Sequence, residues 1–290
     1  EVLTQKTAVV TFLHTIPSAT FAAGAFIAGI SAWLISKKKD IEMARPTLKL
    51  GLITVIISFI AIGITGDAIG KVMTQQQPMK MAAAEALYDT KTNAPFSLFT
   101  IGTLDGSKPV FQIGLPSVLS FMSTGNTNGT VEGINDLQAK YEKQYGAGNY
   151  KPTIWLAYWG FRLMIGFGAL AFLVSLISLW LMRKGTLPNN KWVYRSMIIM
   201  PFLPILANSF GWIYTESARQ PWVVFGLMKT KDGVSAGVSA GSVLFTMITF
   251  TVLYGVLAVI EFGLMVRTIK VGTDKSVGES KSDKTLTMAY

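Results

Sequence analysis

The chain has 290 residues, half of them hydrophobic and only 14% charged, with a formal net charge of +10 and a mean hydropathy of +0.43. A soluble globular domain carries about 25% charged residues, so this composition excludes one and points to an integral membrane protein. There is no cysteine, which excludes disulfides and thiolate metal sites and leaves the redox compartment unread.

The first apolar segment, 8–36, contains VVTFLHTIPSATFAAGAFIAG and with it the only histidine of the chain, His14. A second segment covers 48–69. A long loop at 71–152 follows, opening with QQQPMKMAAAEALYD. Pro78 stands just before strong helix formers there, which predicts a short helix at the membrane surface carrying Lys80 and Glu85. Three further apolar segments cover 154–182, 193–215 and 243–266. Each exceeds or approaches the roughly 20 residues needed to cross about 30 Å of hydrocarbon, and such runs are helical because the bilayer leaves backbone groups no other partner. The expected fold is an all-α integral membrane protein with about five transmembrane helices. Its parts are 1–70 with the first two helices, 71–152 as an extracellular loop, 153–268 with the last three helices, and 269–290 as a cytoplasmic tail.

Charge placement argues against a nucleic-acid partner. Lys37, Lys38, Lys39, Arg45 and Lys49 lie between the first two segments, and Arg183, Lys184, Lys191 and Arg195 between the third and fourth. Arg267, Lys270, Lys275, Lys281 and Lys284 follow the fifth. Basic residues are sparser in 71–152 and 217–234, so the positive-inside rule puts the clusters in the cytoplasm and the N-terminus outside. The first residue is Glu1, with no basic signal region before the first span. An outside N-terminus needs an exporting element, so preceding helices are expected on another chain or removed.

Unusual residues gather at one depth. His14, Asp67, Arg162, Met164 and Glu216 fall within about 15 Å of the outer boundary at 1.5 Å per helical residue. In NSFGWIYTESARQPW, Asn208, Trp212, Glu216 and Arg219 share one helical stripe. Each has a plain alternative: His14 bonded to a neighbour at the membrane edge, Met164 as core filler, Glu216 with Arg219 as an exposed ion pair, and Lys80 with Glu85 as solvated charges. A His and a Met at equal depth with nearby cations also suit axial ligation of a low-spin haem.

The motifs FLHT, QPMKMAAAEA, FRLM and TESARQPW, in that order, resemble subunit I of cytochrome bd-type quinol oxidases. The resemblance runs from the first span to the last. It implies that His14 and Met164 are the axial ligands of a low-spin haem b with Arg162 beside it, and that Glu216 ligates a high-spin haem b. It implies that Trp212 lies between haems, that Arg219 contacts haem, and that Gln77, Lys80 and Glu85 belong to the quinol-oxidising Q-loop. A further haem, haem d or a third haem b, is implied for the full complex. So are subunit II, small single-span subunits, lipid, quinol and oxygen as partners. Ala218 stands where the family usually has Gly, the loop is of the short type, and the family's first four helices are absent from this sequence. The implied setting is a bacterial or archaeal cell membrane. The rival expectation is an ion transporter or channel lined by Asp67, Glu216 and Glu261.

Overall fold

The computed structural model describes residues 2–103, 107–185, 187 and 190–271. Lys275, Lys281 and Lys284 of the tail lie outside the described residues. The chain divides into two compact units, Glu1–Trp33 with Arg45–Gly233, and Leu34–Ala44 with Val234–Tyr290.

Five helices are long and apolar enough to cross a membrane, in the positions expected from hydropathy. They are α1 (Lys6–Ser36), α2 (Ile41–Gln76), later α6 (Ile154–Met182), a fourth span over Lys191–Ala218, and α9 (Ala240–Val271). The α2 helix has 36 residues, about 54 Å at 1.5 Å each. It therefore runs well past the hydrocarbon and delivers the chain directly to α3 (Pro78–Glu85). Helices α1 and α2 approach at a pair of glycines: a Cβ on Gly51 would lie 2.8 Å from both the Ala28 N and the Gly24 O. Close backbone contact of this kind is how helices associate where lipid removes the hydrophobic driving force. Phe59 of α2 then joins α1 to α6, 6.1 Å from Phe21 and stacked 4.7 Å from Phe172.

The fourth span is two helices, α7 (Lys191–Ile199) and α8 (Phe202–Ala218), rather than the single rod the sequence suggests. Pro201 has no N–H to donate back to the preceding turn, so the ladder breaks there. The α8 segment continues into the corner Arg219, Gln220, Pro221, where a short ribbon forms from β5 (Trp222–Val224) and β6 (Met228–Lys229).

The loop between α2 and α6 is a folded layer. It contains β1 (Lys91–Thr92) paired with β4 (Thr130–Val131), and the hairpin of β2 (Phe96–Gly102) with β3 (Pro109–Leu115). It also contains α4 (Val118–Thr124) and α5 (Ile134–Tyr145). Its core joins Ala82, Ala83 and Ala84 of α3 to Ile134, Leu137 and Tyr141 of α5, and to Ala157, Tyr158 and Tyr214 of the spans. Alanines at three successive positions let α3 bury nearly its whole circumference. The expected surface helix is thus an interior helix, and Glu85 is not solvated.

Candidate functional site

The α3 helix ends at Ala86, which adopts φ 47°, and the Leu87 N–H bonds back to the Ala82 carbonyl at 2.9 Å. This closing turn fixes Glu85, the last helical residue, against α6. The Glu85 side chain is 1% exposed and that of Arg162 10%. Glu85 Oε2 accepts a hydrogen bond from Arg162 Nη2 at 2.5 Å and another from the Ser97 N–H of β2 at 3.1 Å. Burial pushes the Glu85 carboxyl above its ordinary value, opposed by the Arg162 charge and by these hydrogen bonds. The guanidinium carbon lies 4.5, 4.9 and 5.2 Å from the ring centroids of Phe96, Tyr158 and Phe161. Its Nε and Nη1 are buried with no hydrogen-bond partner among the described residues. Orphaned buried donors cost about 1–3 kcal/mol each, so they point to an acceptor beyond this set. Behind the pair, Ser97 Oγ bonds Thr100 Oγ1 at 2.6 Å and Tyr158 OH at 2.8 Å.

Lys80 sits one face round on α3, its Nζ 5.4 Å from the Tyr214 ring centroid. Burial lowers its pKa, Glu216 raises it and Arg219 lowers it. Gln77, Lys80, Ala218, Arg219, Gln220 and Trp222 share the lining of one small cavity. The head of the loop and the RQPW corner therefore form one site. Glu216 and Arg219 pair at 2.6 Å with side chains 48% and 36% exposed, so the plain ion pair is present. Arg219 Nε is nevertheless buried and partnerless among the described residues. Asn208, Trp212 and Glu216 are all exposed, as their spacing on one stripe requires.

His14 is half-buried, and its Nδ1 lies 3.0 Å from Thr65 Oγ1. That hydroxyl also lies 2.8 Å from the Ala61 carbonyl of its own helix, so the ring is tied to α2. A hydrogen bond that orients the ring through Nδ1 is the kind of support that metal-binding histidines use. Gly66 of α2 faces the ring, where a Cβ would make ordinary contact at 3.6 Å from His14 Cε1. Gly211 of α8 makes room for Met164, since a Cβ there would lie 2.9 Å from its Sδ. His14 thus stands against α2 and Met164 against α8, and Arg162 is committed through one nitrogen to Glu85. Among the described residues no three of His, Asp and Glu converge on a point. An imidazole, a thioether beside glycine and orphaned guanidinium donors fit an iron porphyrin with acidic edges better than a carboxylate-held ion.

The ion-path expectation finds little support. Asp67 is bonded to Lys71 of its own helix at 2.6 Å and Glu216 to Arg219. Sequence reasoning placed Lys80, Glu85 and Arg162 separately but missed that Glu85 and Arg162, 77 positions apart, are partners. It also missed Tyr158, Tyr214 and Ser97, whose residue types gave no signal.

The fold and site define a multi-span helical membrane protein whose folded loop layer holds a buried acid–base cluster against the spans. The chain matches the family Cytochrome bd terminal oxidase subunit I over residues 1–273, and it belongs to that family. It is 40% identical over 266 residues to the Cytochrome bd ubiquinol oxidase subunit 1 of Bacillus subtilis (strain 168), covering 91% of this chain and 57% of the relative. It is 24% identical to the Cytochrome bd-II ubiquinol oxidase subunit 1 of Escherichia coli (strain K12), covering 95% and 64%. The bd oxidase structure from Geobacillus thermodenitrificans superposes with a TM-score of 0.74 at 25% identity, covering 91% of this chain and 58% of that one. The chain therefore spans about three fifths of the length of these relatives.

Proposed function

We propose that this chain is the quinol-oxidising, haem-carrying part of a cytochrome bd-type quinol:oxygen oxidoreductase, working with subunit II and small single-span subunits in a cell membrane. The observation that carries the reading is the buried Glu85–Arg162 pair, with the partly buried Lys80 on another face of the same short helix. Quinol oxidation releases two protons for every two electrons, so the reactive ring needs a proton acceptor held ready in a poorly solvated place. Glu85 suits that role because burial strengthens its hold on a proton. Arg162 keeps the ionised carboxylate tolerable between turnovers, and Lys80 with Gln77 offers hydrogen bonds to the opposite side of a ring. Protons taken up here leave on the outer side under the orientation inferred from the basic clusters.

His14 and Met164 would hold a low-spin haem b, with the free nitrogens of Arg162 at an acidic edge. Glu216 would ligate a high-spin haem b, Trp212 would stand between the haems, and Arg219 would contact an acidic edge. A haem d or third haem b completes the proposed set. Bound haem supplies one-electron acceptance and onward transfer towards oxygen. Two variants test the ligands in the intact complex. Met164→Leu keeps volume and removes the thioether, and His14→Ala removes the imidazole. Both are expected to abolish or shift the low-spin signal in reduced-minus-oxidised spectra, and unchanged spectra in both would overturn the assignment.

A further inference from the structure

The β2–β3 hairpin is built with its polarity reversed. Ser97 and Thr100, 0% and 2% exposed, face inward to Tyr158 and to the Glu85 cluster. The apolar side chains face out: Phe99 is 38% exposed, Ile101 48%, Phe111 51% and Ile113 50%. Register puts Phe99 opposite Ile113 and Ile101 opposite Phe111, so these four form one cross-strand patch. Neither strand carries a charged residue. A hairpin beside water on its outer face is expected to alternate the other way, with polar residues out.

The surroundings say what covers the patch. Phe99 meets Trp159 edge-on, with centroids 5.3 Å apart. Trp159 lies in the second turn of α6, a membrane span, and Trp155 in its first turn is 56% exposed. Tryptophans at one end of a span mark the layer where hydrocarbon meets headgroups. The hairpin therefore stands beside α6 at that depth, and its apolar patch continues the exposed apolar surface of α6. An uncharged aromatic and β-branched face in that layer suits acyl chains and the glycerol region.

We propose that the face formed by Phe99, Ile101, Phe111 and Ile113 dips into the leaflet that meets the first turns of α6, and that lipid is its partner. Insertion anchors the loop beside the span. It also holds Ser97, the neighbour of the patch on β2, in position over Glu85. The interaction is independent of which redox groups the complex carries.

These 290 residues hold no cysteine, so once any cysteine elsewhere in the complex is replaced by serine a single introduced thiol takes the label. Ile101→Cys and, separately, Ile113→Cys are labelled with an environment-sensitive fluorophore in the intact complex, reconstituted in phosphatidylcholine vesicles. Lys140→Cys, whose lysine is 55% exposed on α5, serves as the control. Quenching is compared among lipid nitroxides placed near the headgroup, lipid nitroxides near the chain end, and aqueous iodide. The expected order at both hairpin sites is headgroup-proximal nitroxide first, chain-end nitroxide second and iodide last, with iodide dominant at the control. Dominant iodide quenching at the hairpin would overturn the proposal in favour of a solvated face. Protection from all three quenchers would overturn it in favour of a protein partner, whether another subunit or a second copy.

Discussion

At the scale of single residues, Glu85 and Arg162 illustrate how two costly groups become tolerable together. Each alone would be an uncompensated charge in a nearly dry place; together they meet at 2.5 Å among three aromatic rings. Glu85→Gln is expected to slow quinol oxidation by about 10²-fold or more, the usual worth of a positioned proton acceptor, while dithionite still reduces the haems. Steady-state quinol oxidation checks it. The same residue predicts a pH effect on stability. Its folded pKa is raised by burial, so between the ordinary carboxylate value and that raised value the folded protein keeps a proton that the unfolded chain has released. Stability from this group then falls as pH rises through the window. Glu85→Gln should flatten that part of a Tm-against-pH curve. Glu216 poses a different question, because its pairing with Arg219 is half-exposed and worth at most about 1 kcal/mol. If it also ligates iron, Glu216→Gln removes or alters a high-spin haem by pyridine haemochrome count while the His14/Met164 signal persists. Full haem content in that variant returns Glu216 to the simple ion pair.

At the scale of elements, α3 is a short helix made interior by small residues, and it links two regions far apart in sequence. Its Lys80 faces the corner after α8 and its Glu85 faces α6. The α1–α2 contact has the same logic, since Gly51 lets backbones touch. In Gly51→Val the new Cβ would meet the Ala28 N and Gly24 O at 2.8 Å, and backbone cannot yield as a side-chain tip would. A loss of about 1–3 kcal/mol or more is expected from such overpacking, read as a lowered Tm in detergent. Because His14 and Thr65 bridge these helices, the low-spin spectrum should broaden or diminish in parallel. The spans themselves were legible because long apolar runs have one structural outcome in lipid. The break at Pro201 was visible as a residue type, but the uninterrupted hydropathy on either side concealed it.

At the scale of the whole molecule, the basic clusters flank alternate ends of the spans, which is a statement about topology. An impermeant maleimide applied to sealed right-side-out cells should label Lys140→Cys in the long loop. It should label Lys184→Cys, between α6 and α7, only after permeabilisation. The opposite pattern would reverse the proposed orientation and the side on which protons leave. Composition, five spans, charge asymmetry and four ordered motifs were determined by the sequence itself, because each depends on local runs or spacings that no packing can alter. The order of the motifs also made the family legible. What only tertiary structure decided is where the charges of the loop layer and the adjoining helix ends go. The Glu85–Arg162 pair, the Lys80 cavity with Arg219, the His14–Thr65 contact and the inward polar face of the β2–β3 hairpin all join residues remote in sequence. Burial and partnership are properties of the folded neighbourhood, so a glutamate and a lysine that read equally well as solvated helix charges became, once α3 was enclosed, a buried ion-pair member and a partly buried cation.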